Sequence, residues 1–272
     1  MPFLVATFYH FFDFPDFAAK KQPLMAELER LGIKGSLLIA PEGINGTLAG
    51  TEDAMKAFLA SLEADIIKCK LEYKVSRCAR QPFARAKVRI KKEVISLGEP
   101  VSPKHKIGHY VSPAEWNALI DDPETIVLDA RNHYEVHLGT FARAINPGIR
   151  TFKALPAYVK KNMAGQQRRK IATFCTGGIR CEKFSSWLVG QGFEQVYQLK
   201  GGILKYLETV PEAESRWHGE CYVFDERVAV GHGLVPSPTA TMCQACGSPL
   251  TVEDRAHPLY KESKSCPHCE KN

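Results

Sequence analysis

Residues 174–188 read FCTGGIRCEKFSSWL, and this stretch constrains the fold more than any other part of the chain. It follows the short apolar run 171–174 (IATF) and leads into a helical pattern, so a strand, a glycine loop and a helix succeed one another without a spacer. Two similar short runs, the wholly apolar 125–128 (TIVL) and the mainly apolar 196–199 (VYQL), flank it along the chain, with helical stretches between. Such strands are buried on both faces, which indicates an α/β unit around a parallel sheet. Functional groups in these sheets sit at the carboxyl ends of strands, and Cys175 lies one residue past such an end.

The loop Cys175, Thr176, Gly177, Gly178, Ile179 and Arg180 suits the stabilisation of a sulfur anion. Its glycines permit positive φ and carry no side chains, so successive N–H groups can turn towards the Cys175 sulfur. The positive end of the following helix and the Arg180 charge act in the same direction and favour thiolate over thiol. A phosphatase loop of this design places five residues between cysteine and arginine; here there are four, a ring suited to one sulfur or a small adduct. The plainer alternative is a buried cysteine beside a glycine turn. Cys181 follows directly, either as a thiol that resolves an oxidised Cys175 or as an ordinary helix-face cysteine.

At 272 residues the chain has room for more than one module, and three are expected: 1–98, 107–212 and 213–272. In the first, strand patterns at 3–12, 37–40, 46–49, 71–76 and 87–96 alternate with helical patterns at 17–31 and 51–62, the latter capped by Thr51. This order predicts a ferredoxin/acylphosphatase-like βαββαβ sandwich. Arg85, Lys87, Arg89 and Lys91 alternate with apolar residues there, giving a strand with a basic face: either a solvated surface or a face for nucleic acid. A second basic cluster runs from Lys160 and Lys161 to Arg168, Arg169 and Lys170. The segment 98–113, with three prolines, reads as a linker. The net charge of +6 permits a polyanionic partner without requiring one.

Four of the nine cysteines form two CxxC pairs, Cys243 with Cys246 and Cys266 with Cys269, separated by 19 residues. That spacing fits a four-thiolate zinc site, closed and therefore structural, in a tail too small for its own core. His257 and His268 are candidates to replace one sulfur, or else surface histidines. The apolar N-terminus lacks a basic flank and a cleavage motif and is read as a strand rather than a leader. No apolar run has the length of a membrane span, and the free cysteines fit the reducing cytosol.

The loop resembles that of the rhodanese domain, and the resemblance extends to Asp129, Arg131, Glu135, Gly139 and Asn146, and to 196–203 (VYQLKGGI). It implies that Cys175 is catalytic and can carry a persulfide, with Asp129 and Arg131 as an ion pair beneath the loop. LLIAPEGINGTLAG, CTGGIRCEKFSSWL, GECYVFDERVAV and the cysteine-rich tail together resemble the bacterial tRNA uridine hydroxylases over nearly the whole chain. That resemblance implies 5-hydroxylation of the wobble uridine in tRNA anticodons, with molecular oxygen as co-substrate. The basic stripe would then meet phosphates of the anticodon loop. A sulfurtransferase working through a Cys175 persulfide and a non-catalytic binding module remain rival readings. No flavin, nicotinamide or haem motif is present, and no two-histidine-one-carboxylate set can be placed from the sequence.

Overall fold

A computed structural model describes residues 2–103 and 106–269. Two linker positions, Lys104 and His105, fall outside the described residues. The chain divides into two compact units, 1–107 and 108–272.

In the first unit, β1 (Phe3–Phe11), α1 (Lys21–Arg30), β2 (Lys34–Ala40), β3 (Gly43–Gly50), α2 (Glu52–Ser61), β4 (Tyr73–Cys78) and β5 (Ala86–Ile90) follow in order. The sheet order is β4-β1-β3-β2-β5, antiparallel except for the β2–β5 pair. Leu24 and Leu28 of α1 and Met55, Phe58 and Leu59 of α2 are buried with Leu4, Phe8, Leu37, Ile39 and Leu48 of the sheet. Helical and strand periodicities thus meet in one core, as the sequence predicts. Thr51 caps α2, its hydroxyl accepting the Ala54 N–H at 3.3 Å. The expected helix 17–31 begins later because residues 17–20 form tight turns, and Pro23 falls in the first turn, where its missing N–H costs nothing. The expected strand 87–96 ends at Ile90; beyond it the chain turns in, with Val94 N–H held by the Glu42 carboxylate at 2.8 Å.

The second unit contains β6 (His109–Val111), α3 (Pro113–Asp121), β7 (Thr125–Asp129), α4 (His133–Val136), β8 (Gly139–Phe141), α5 (Leu155–Asn162), β9 (Lys170–Phe174), α6 (Ile179–Gly190), β10 (Gln195–Leu199) and α7 (Gly202–Thr209). Its main sheet, ordered β6-β10-β9-β7, is parallel throughout. After α7 come β11 (Trp217–Gly219), β12 (Cys221–Tyr222), β13 (Ala229–Val230), β14 (Thr241–Met242), β15 (Pro249–Leu250) and α8 (Val252–Ala256). Strand β11 pairs with β8, and Trp217 joins Trp116, Phe141, Phe174 and Tyr206 in one aromatic core. Pairing and packing therefore run across the division expected at residue 212, because Trp217, Cys221, Val223 and Val230 complete the apolar cover of the sheet. Only the chain beyond them forms the cysteine-rich tail.

Candidate functional site

Strand β9 delivers Cys175 to the carboxyl edge of the sheet, and α6 starts four residues later. Gly178, at φ 103°, turns the chain into that helix in a conformation that side chains disfavour. Its N–H donates to the Cys175 sulfur at 3.2 Å. Cys175 itself is 0% exposed.

The second glycine pair of the rhodanese-like pattern has its reason here. Gly202, at φ 68°, opens α7 directly against the loop. A Cβ there would lie 2.6 Å from the Cys175 carbonyl oxygen and 2.8 Å from the Gly178 nitrogen. The close approach allows Ile203 N–H to bond the Cys175 carbonyl at 3.0 Å and Leu204 N–H the Thr176 carbonyl at 3.1 Å.

Arg180 is not a free charge aimed at the sulfur. Its guanidinium grips Glu135 with two bonds of 2.6 and 2.7 Å, and Thr176 bridges the pair, all three groups being buried. Burial alone would raise the Glu135 carboxyl, but Arg180 holds it below the usual carboxylate range, so the pair stays ionised. Glu135 is the residue the sequence reading leaves without a role. Its local signal is the capping-box spacing Asn132-x-x-Glu135, and the Asn132 N–H indeed donates to its carboxylate at 3.1 Å. Beneath lies a wholly buried ion pair, Arg131 Nη2 to Asp129 Oδ2 at 2.7 Å, with Arg131 stacked over Trp217 at 5.1 Å.

Cys181 is fully buried and is hydrogen-bonded to Cys175, both cysteines being free. Burial works against ionisation at both sulfurs. For Cys175 it is outweighed by hydrogen bonds from the Cys181 thiol and N–H, the nearby Arg180 charge and the Gly178 N–H, which lower its pKa to about 5. The Cys181 thiol is pushed well up by burial and by its bond to Cys175, and so serves as the donor. The arrangement favours thiolate over thiol at Cys175, in a site shielded from water.

Elsewhere, Lys87 and Arg89 lie in edge strand β5 and Arg85 and Lys91 flank it, with Lys87 half-buried and the other three exposed. Lys87 and Arg89 stand on the face opposite Val88, which is buried; Ile90, expected on the apolar face, is 44% exposed at the end of the strand. In the second basic cluster, Lys170 pairs with Asp122 at 2.8 Å and Arg169 bonds the Glu124 carbonyl, so part of that cluster serves the fold.

The four tail cysteines converge. Sulfur separations are 3.6 Å for Cys246–Cys266, 3.7 Å for Cys266–Cys269 and 3.8 Å for Cys243–Cys269. Thiolates about 2.3 Å from a tetrahedral zinc ion stand about 3.8 Å apart, so the residues fit the metal. The N–H groups of Cys266 and His268 point at cluster sulfurs, as buried thiolate charge requires. Neither His257 nor His268 replaces a sulfur: the first accepts the Leu259 N–H, and the second bonds Asp254.

Profiles of two protein families match the chain. The UPF0176 acylphosphatase like domain covers residues 3–94 and the rhodanese-like domain residues 112–209. A tRNA uridine(34) hydroxylase from Deinococcus radiodurans is 53% identical over 268 residues, covering 98% of this chain and 89% of the relative. Proteins of the same description from Rhizobium etli and a Picosynechococcus species are each 50% identical, over 98% of this chain and 87% and 90% of their own lengths.

Proposed function

Because this chain belongs to the tRNA uridine(34) hydroxylase family, we propose that it hydroxylates the wobble uridine of tRNA anticodons at C5, with Cys175 as the catalytic residue. The relationship over 98% of the chain carries the activity. The role of Cys175 is supported by the Gly178 N–H and Cys181 donors that surround its sulfur.

Uracil C5 becomes electron-rich when a thiolate adds to C6. Cys175 makes that bond in the proposed reaction, and the electron pair passes to C5. Dioxygen gives one atom to C5 and the other leaves as water, with two electrons from an external donor and two protons from solvent. Loss of the C5 proton and expulsion of the thiolate then restore the ring. Since Cys175 is completely buried, a base reaches it only after the surroundings of the loop open. An anticodon loop, with bases that splay out readily, is a suitable substrate for such a site. The basic edge strand of the first unit would bind its phosphates. The reaction belongs in the cytoplasm with its tRNA, and among the described residues no helix is long and apolar enough to cross a membrane.

The test is mass spectrometry of tRNA nucleosides from a strain lacking the gene, complemented with wild type or Cys175→Ser. 5-Hydroxyuridine derivatives should return only with the wild type. If neither restores them while protein-bound sulfane sulfur changes, the protein is a sulfurtransferase; if Cys175→Ser restores them fully, the loop is not the site.

A further inference from the structure

Apart from the glycine loop and the zinc knuckles, one other group of metal-ligating side chains converges among the described residues: His137, Asp254 and His268. They come from three separate places. His137 ends the short helix α4, Asp254 sits in the first turn of α8, and His268 lies between the two cysteines of the second knuckle. His137 Nε2 stands 2.7 Å from one oxygen of Asp254, and His268 Nε2 stands 2.9 Å from the other. The two rings meet edge to face, with centroids 4.5 Å apart.

Asp254 is held on its backbone side. Thr251 N–H donates to Oδ2 at 2.9 Å, and the Thr251 hydroxyl accepts the Asp254 N–H at 3.2 Å. The carboxylate is therefore fixed while its two outer contacts are imidazole nitrogens. Each spacing is that of a hydrogen bond to its own carboxylate oxygen, and the ligand atoms of the three residues all lie within 4.8 Å of one another, close enough for ligands about 2.1 Å from one metal ion.

The open side faces a cavity of about 260 Å³, bordered by His137, His268, Tyr134, Arg150 and Ser248. The geometry points to a second metal site, in which His137, Asp254 and His268 bind one divalent first-row transition ion with free coordination positions towards this cavity. Two imidazoles and one carboxylate with vacant positions is the ligand set of non-haem ferrous oxygenases, and it differs in kind from the closed four-thiolate cluster beside it. Ferrous iron is the occupant proposed, because this ligand set with open positions is the one such oxygenases use. A role for the ion in handling dioxygen rests on the hydroxylase reading; its binding does not. Helix α4 joins the two places, with Glu135 on Arg180 of the thiolate loop and His137 two residues on.

The experiment uses the full zinc-loaded chain, incubated with ferrous iron under argon, desalted and analysed for metals. Wild type should hold about one iron in addition to zinc. His137→Ala, whose side chain is partly exposed, should keep the zinc and the melting temperature and lose iron affinity by at least about 100-fold; His268→Ala should lose iron likewise. No second metal in the wild type, or iron that survives both substitutions, overturns the site. Hydroxylation by a protein that binds only zinc overturns it too and leaves the hydroxylase reading intact. Iron binding that His137→Ala removes sustains the site even where no 5-hydroxyuridine is made.

Discussion

Two thiols of the same kind, six residues apart, are driven to opposite states by what surrounds them. Both are fully buried, which alone would keep both protonated. Cys175 collects N–H and S–H donors and the field of Arg180, and Cys181 keeps its proton and donates it in a hydrogen bond to Cys175. A hydrogen bond to a charged group contributes about 1.5–3 kcal/mol, which corresponds to a pKa change of about one to two units. Cys181→Ala should therefore raise the Cys175 pKa from about 5 by that amount, and Cys181→Ser, which keeps a donor, by less. The thiolate is the form present above the pKa, so the acid limb of hydroxylation should move upward in parallel. Ultraviolet thiolate absorbance against pH reads the shift directly, and an unmoved curve would mean that Arg180 and the backbone donors set the ionisation without the Cys181 thiol.

At the scale of elements, the loop is held by the close docking of α7 on the turn between β9 and α6. Gly202 makes that docking possible, since the loop backbone occupies the space where its Cβ would be. Gly202→Ala should cost about 2 kcal/mol or more, from left-handed backbone strain together with displacement of the loop. Gly190, near the end of α6, has open space around its Cα and provides the control. Gly190→Ala should be neutral or stabilise by up to about 1 kcal/mol, because alanine restricts the unfolded chain more than glycine. Thermal unfolding of both variants decides the matter; equal melting temperatures would show that the loop yields easily. The bidentate Arg180–Glu135 pair is a second brace, and its two halves come from α4 and α6.

At the scale of the whole molecule, the proposed function puts binding and chemistry in different units. Edge strand β5 of the first unit carries Lys87 and Arg89, with Arg85 and Lys91 flanking it, while Cys175 lies in the second unit. Basic side chains on phosphates release counterions, and the logarithm of affinity for single strands falls by about 0.7 per contact with the logarithm of salt. Replacing Arg85, Lys87, Arg89 and Lys91 with serine should weaken tRNA binding and reduce that slope by up to about 3. Filter binding at several salt concentrations measures it, and an unchanged slope would move the RNA surface away from β5.

The local signals were legible in the residues alone. The strand–glycine–helix stretch at 171–188 specified a parallel sheet with a cysteine at its edge, because backbone conformation and burial act over a few residues. The CxxC spacing likewise brought Cys243, Cys246, Cys266 and Cys269 together, since each pair can turn two sulfurs towards one point. Tertiary structure alone decided the contacts between distant segments. It paired Arg180 with Glu135, 45 positions away, placed Trp217 in the aromatic core, and set Gly202 against Cys175. It also brought His137 within hydrogen-bonding distance of Asp254, 117 positions away. Periodicity and turn chemistry determine which face of an element is apolar and where the chain bends. Which polar groups meet is determined only when those faces pack, because a buried charge is stable only beside a partner and the packing settles which partner lies within reach.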